Sequence, residues 1–167
     1  MKKFTSAFLM LGLFAATLSS CKKDDDNKVD DEEDVKSTKM SFKVDGSQKT
    51  STHLFAYKTD EDELGIYGSN SSEAVTVAID NFHGVGDYVL EGDDDNNDDD
   101  GVMVLYTVGK ESAAKLYYAE EATVKITSSN DKEVKGTFSA TVKELNGDAS
   151  MVLTEGKFEA KIVESMD

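Results

Sequence analysis

After about residue 40 apolar and polar residues alternate along most of the chain, and no stretch of helical length repeats apolar residues at i, i+3, i+4 and i+7. A period of two puts successive side chains on opposite faces of a strand. The pattern therefore predicts one all-β domain over residues 40–167. Ser41–Asp45 carries Phe42 and Val44 on one side, and Thr50–Lys58 carries His53, Phe55 and Tyr57 on one face. Leu64–Gly68, Ala74–Phe82 with Val75, Val77 and Ile79 inward, and Asp87–Leu90 follow. Val102–Val108, Ala122–Thr127, Val134–Val142 and Val152–Ile162 bring the total to about nine strands. Within Glu111–Glu121, Ser112–Leu116 suits a helical turn and Leu116-Tyr117-Tyr118 a strand, so a short turn leading into a strand is expected. Turn residues at short intervals, among them Asp45-Gly46, Ser69–Ser72, Gly84 and Gly86, favour an antiparallel β-sandwich, with a small β-barrel as the alternative.

The last two strands echo one another. Gly136-x-Phe138-x-Ala140-x-Val142-x-Glu144 recurs as Gly156-x-Phe158-x-Ala160-x-Ile162-x-Glu164. A turn at Asn146-Gly147-Asp148 makes these strands an antiparallel hairpin, and a three-residue loop sets Val142 opposite Val152, Phe138 opposite Gly156 and Gly136 opposite Phe158. Each glycine then lies under a phenylalanine ring, an arrangement that pins register. Close approach of a ligand to these glycines is the alternative use of the same residues.

The N-terminal pattern differs from the rest. Lys2 and Lys3 precede an apolar run from Phe4 to Leu18, broken by Thr5, Ser6, Gly12 and Thr17, and small residues lead to Cys21. Residues 1–20 read as a secretory signal, since the run is shorter than the roughly 20 apolar residues that a membrane span needs. Leu18-Ser19-Ser20-Cys21 resembles the bacterial lipoprotein signal, which implies that Cys21 becomes the lipidated first residue of the mature chain. Cys21 is the only cysteine, so no disulfide forms within the chain and lipidation leaves no thiol. Acyl chains on Cys21 would hold the protein to the membrane without spanning it.

Residues 21–39 carry Lys22-Lys23-Asp24-Asp25-Asp26 and a second acidic run at Asp30–Asp34 with almost no apolar residue. Such a segment buries too little apolar surface to offset its ordering entropy and reads as a disordered tether. Cysteine, then lysines, then an acidic cluster resembles the signal that sends lipoproteins of Bacteroidota to the outer face of the outer membrane. The resemblance implies a lipid-anchored protein facing the cell exterior.

Charge narrows the partners. The 167 residues carry a net charge of −16, and every basic residue is Lys. Nucleic acid is excluded as a partner because phosphate binding needs clustered cations. An acidic surface also repels anionic lipid, leaving the acyl chains as the membrane contact. The absence of Trp removes the usual flat platform for stacking a sugar ring, with the six Tyr as substitutes.

The carboxylates concentrate between Glu91 and Gly101, where Asp93, Asp94, Asp95, Asn96, Asp98 and Asp100 offer the hard oxygen ligands that suit calcium. Asn96-x-Asp98-x-Asp100-Gly101 matches the first half of an EF-hand loop, but the twelfth position is Thr107 and a strand follows, so an EF-hand is rejected. The two readings left are a calcium loop of another kind and a solvated acidic hairpin loop; no other cofactor is called for. The only histidines are His53, read as partly buried on its strand, and His83, read as exposed in a Gly-rich turn. No GxSxG or HExxH motif occurs, and Gly84-x-Gly86 is no phosphate loop because no helix follows it. Catalysis would require one of the histidines to meet two carboxylates in one cleft.

Phe42-Lys43-Val44-Asp45-Gly46, Gly86-Asp87-Tyr88, Val124-Lys125-Ile126-Thr127, Gly136-Thr137-Phe138-Ser139 and Thr154-Glu155-Gly156-Lys157-Phe158 occur in an order similar to a family of uncharacterised Bacteroidota lipoproteins with a β-rich domain. The resemblance implies fold and location and brings no chemistry. The chain departs from the family in the long acidic loop and in lacking the aromatic, often Trp, that follows the Asp-Gly turn. The expectation is a non-enzymatic binding or structural module of the cell envelope, with an envelope protein or glycan as its partner. The alternatives are a calcium-dependent adhesion module and a barrel carrying a small apolar ligand.

Overall fold

The computed structural model describes residues 39–59, 62–91, 101–110 and 113–163. The signal segment, Cys21, the tether, and Asp93, Asp94, Asp95, Asn96, Asp98 and Asp100 lie outside the described residues.

Ten strands form, and no α-helix occurs among the described residues. They are β1 (Lys39–Val44), β2 (Ser47–Thr50), β3 (His53–Lys58), β4 (Leu64–Ser69) and β5 (Glu73–Ile79), then β6 (Gly86–Leu90), β7 (Val102–Val108), β8 (Lys115–Ser129), β9 (Glu133–Glu144) and β10 (Ser150–Val163). All belong to a single sheet. The all-β class read from the alternation holds, and among the described residues the strands make one sheet curled into a near-ring, closer to the small-barrel alternative than to two packed sheets. The long strands β8, β9 and β10 form an antiparallel meander. From β8 the sheet continues through β7, β5, β4 and β3, and β3 returns to β10 in the one parallel pairing, Ile162 with Ala56 and Val163 with Tyr57.

Closure depends on strands that change neighbours along their length. β8 pairs with β7 over Lys115–Tyr118 and with β6 over Ala122–Ile126, and its ladder to β9 skips Glu120 between these parts. An extra residue of this kind bends a strand and increases its twist. The expected short turn leading into a strand is found before Lys115, and Leu116-Tyr117-Tyr118 and Ala122–Thr127 form one strand, continuous through the bulge.

Two other expectations are corrected. Thr50–Lys58 is two strands: Ser51 N donates to Met40 O at 2.9 Å, whereas Thr52 N donates to Ser69 O at 2.8 Å, so the chain leaves the β1 ladder and joins β4 within two residues. In the β9–β10 hairpin Phe138 pairs with Gly156 and Gly136 with Phe158, but Val142 pairs with Met151 in place of Val152. The register shifts between Leu153 and Gly156, where Glu155 adopts φ 52°. That extra residue turns Leu153 inward and leaves Val152 outside, 45% exposed.

Leu90 at the end of β6 pairs with Ala122, and Leu105 in β7 pairs with Tyr118. Both strands run antiparallel to β8 along the same edge.

Side chains fill the inside of the near-ring. Tyr88, Tyr106, Met40, Leu64, Ile66, Ile79, Ile126 and Leu153 are the largest of those essentially shut off from solvent. Phe42 stands edge-on to Tyr106 with centroids 6.0 Å apart and tilts against Phe138 at 5.9 Å, tying β1, β7 and β9 together.

Candidate functional site

The inward positions of β3, β4, β5, β7 and the start of β8 supply the core, so their alternate positions form an outer face. Cross-strand pairing arranges these in rows. The middle row is Phe55, Tyr67, Thr76, Leu105 and Tyr118. On one side of it run His53, Ser69, Ala74, Thr107 and Leu116. On the other side Tyr57, Gly65, Ala78 and Met103 run on from Val163 of β10. None of these positions is Asp, Glu or Lys, in a chain of which 31% is charged. The outward positions of β9 are different: they include Lys135 and Lys143, which pair with Glu159 and Glu120.

The face is aromatic and open. Phe55 and Tyr67 lie with ring centroids 5.3 Å apart and planes tilted by 39°, and Phe55 is 37% exposed. Met103 and Val163 are each 45% exposed. Tyr57 lies across Gly65, where a Cβ would collide with the ring. His53 is exposed here, a correction to its expected partial burial: the inward register of β3 belongs to Leu54 and Ala56.

A groove of about 430 Å³ opens at the His53 end of the face, lined by Tyr67, Ser69, Ala74 and Thr107 together with the β4–β5 turn and the segment after β7. The turn is held by Asn70, whose Oδ1 accepts hydrogen bonds from Ser72 N and Glu73 N, both at 2.9 Å. Beneath it Glu73 turns inward. Lys49 Nζ stands 2.5 Å from Glu73 Oε1, and Asn70 Nδ2 donates to Oε2 at 3.4 Å. Burial alone would raise the Glu73 pKa, but hydrogen bonds from Lys49, Asn70 and the Tyr106 hydroxyl outweigh it and hold the carboxyl below its usual range. Burial, and then the Glu73 charge, push the Tyr106 hydroxyl well above the ordinary phenol range.

His83 lies in a different cleft of about 410 Å³, lined also by Lys58, Asp62, Glu63, Phe82 and Asp131. Its ring stacks on Tyr88 at 4.9 Å. The Tyr88 hydroxyl donates to Gly84 O at 2.8 Å and accepts from His83 N at 3.2 Å. The same hydroxyl lies 3.1 Å from His83 Nδ1, within hydrogen-bond reach. The contact that orients His83 is Tyr88, in the wall of the fold. His53 is on another strand and outside this cleft.

Of the residues singled out in the sequence, the structure brings together Gly136, Phe138, Gly156 and Phe158 and uses them in packing. The uncharged face was not singled out, although its signal is present as strands whose outward positions lack Lys and Glu.

No curated protein and no solved structure matches the chain. Residues 36–160 match a family profile described as a domain of unknown function, DUF6252. This span takes in every described strand except the last residues of β10, and the chain belongs to the DUF6252 family.

Proposed function

We propose that the chain is a lipid-anchored protein of the outer membrane, facing the cell exterior, whose β-domain is a non-enzymatic binding module of the cell envelope. The observation that carries the binding role is the uncharged, aromatic outer face of β3, β4, β5 and β7. Depletion of charge with enrichment in aromatic residues and Met marks the centre of recognition surfaces, and here it stands out against a net charge of −16. The packed interior supports a ligand held on the outside. The anchor rests on Leu18-Ser19-Ser20-Cys21 and the lysine-acid segment behind it, which are similar to the lipoprotein signals of Bacteroidota.

Labelled palmitate supplied to producing cells tests the anchor. Wild-type chain should carry the label, partition with detergent-soluble membrane and be digested by protease added to intact cells. Cys21→Ser should lose both label and partition. An unlabelled wild type, or a Cys21→Ser chain that partitions unchanged, would overturn the anchor, and protection from external protease would overturn the exterior location.

A further inference from the structure

We infer that the uncharged face and the groove at its His53 end form a binding site for a neutral oligosaccharide, a deeper statement of the binding role proposed above and resting on it. Size is the first argument. Five strands about 4.8 Å apart and three rows about 6.8 Å apart give a surface on the order of 300–400 Å². A stable protein partner or a second copy needs about 800 Å² on each side. The groove, at about 430 Å³, falls within the range of small-molecule sites.

Backbone pairing is the second. β4 lies between β3 and β5, and β5 between β4 and β7, so the strands at the centre of the face have both edges paired. An extended peptide adding as a strand would find no free edge there. The ligand must be recognised by side chains.

Those side chains fit a sugar. Tyr67 lines the groove, and its ring joins that of Phe55 in one aromatic surface leading away from it. The electron-rich face of an aromatic ring attracts the polarised C–H bonds on one face of a pyranose. Around Tyr67 the groove offers Ser69, Ser71, Ser72 and Thr107, whose hydroxyls both donate and accept, as sugar hydroxyls do. Asn70 fixes the turn bearing Ser71 and Ser72, so the polar wall is ordered before a ligand arrives. The rows of the face hold no cation to attract an anionic glycan, and Glu73 and Lys110 at the groove bring one charge of each sign.

The test uses the full chain, purified through a C-terminal tag and titrated with neutral oligomers of α- and β-linked glucose, mannose and galactose. Oligogalacturonate serves as the charged control. The expected result is binding to at least one neutral oligomer and none to oligogalacturonate. Phe55→Ala and Tyr67→Ala should each weaken binding about tenfold or more, and Val89→Ala, in a separate groove lined by β6, β8, β9 and β10, should leave it unchanged. Thermal unfolding checks that the variants fold. Thr107→Lys, which puts a charge into the groove that Tyr67 lines without removing core packing, should abolish binding and serves should Tyr67→Ala fail to fold. No neutral oligomer binding up to millimolar concentration overturns the assignment, as does binding that ignores all three face substitutions. A concentration-dependent dimer in sedimentation that Thr107→Lys dissolves also overturns it, with a second copy as the occupant. These readouts do not involve Cys21, so failure here is distinct from failure of the anchor.

Discussion

The Phe158 ring lies over Gly136, its Cζ 2.6 Å from where a β-carbon on that glycine would stand. Phe138 covers Gly156 in the same way, with ring atoms at 2.5 and 2.6 Å. The backbone oxygens of Lys125 and Phe138 close the same two spaces, so neither can relax by moving a ring alone. Gly136→Ala and Gly156→Ala should each cost about 1–3 kcal/mol through overpacking, measured by urea unfolding. Phe158→Ala should cost about 3–5 kcal/mol. The double variant Gly136→Ala with Phe158→Ala should cost less than the sum, because one of the two clashes is gone.

The bulge in β10 decides which side chain of a neighbouring pair is core. Leu153→Ala should cost about 2–5 kcal/mol and Val152→Ala less than about 1 kcal/mol, the reverse of what an unbroken register would give. Glu155 itself sits at φ 52° and pairs with Lys43 at 2.6 Å on the surface. Glu155→Gly should stay within about 1 kcal/mol of wild type, since relief of the left-handed backbone offsets a weak exposed ion pair. Glu155→Val should cost about 1–3 kcal/mol because a β-branched residue resists that conformation.

Glu73 and Tyr106 contribute to the pH dependence of stability from opposite sides. The Glu73 pKa is lowered in the folded chain, so between its folded and unfolded values the unfolded chain binds more protons. The stability it contributes is present above the unfolded carboxylate value and is lost as pH falls through the folded one. Tyr106 is raised, so its contribution is complete below the ordinary phenol value of 10.0 and is lost as pH climbs above it. Unfolding free energy against pH should lose part of its acid slope in Glu73→Gln and part of its alkaline slope in Tyr106→Phe.

The Tyr88 hydroxyl ties Gly84 O and the His83 backbone into one turn while its ring stays fully buried. Tyr88→Phe keeps the packing and removes those bonds. It should cost about 1–3 kcal/mol and speed hydrogen exchange at the His83 amide, with little change at the β9–β10 ladder.

Two of the readings made from the sequence succeeded because they rested on local repetition. Period-two alternation needs no partner to be visible, and the paired Gly-x-Phe motifs constrain each other across one short turn. The failures involve residues whose neighbours come from far along the chain. Ser51 and Thr52 look like the middle of a strand until Met40 and Ser69 compete for their amides. Val152 looks inward until the Glu155 bulge turns Leu153 in. His53 shares its face with Phe55 and Tyr57, and alternation alone does not say which face of a strand is inside.

The sequence by itself determined the all-β class, the alternation that places one face of each strand in the core, and the aromatic cover of Gly136 and Gly156, since each depends on side-chain period and short-range pairing. Only the tertiary structure decided that one sheet closes on itself, because closure depends on β8 changing neighbours at a bulge and on β10 pairing first with β1 and then, at its end, with β3. It also decided that the uncharged outward positions of five separate strands become one surface. Such a surface is a sum over strands far apart in the chain, and pairing alone sets its order.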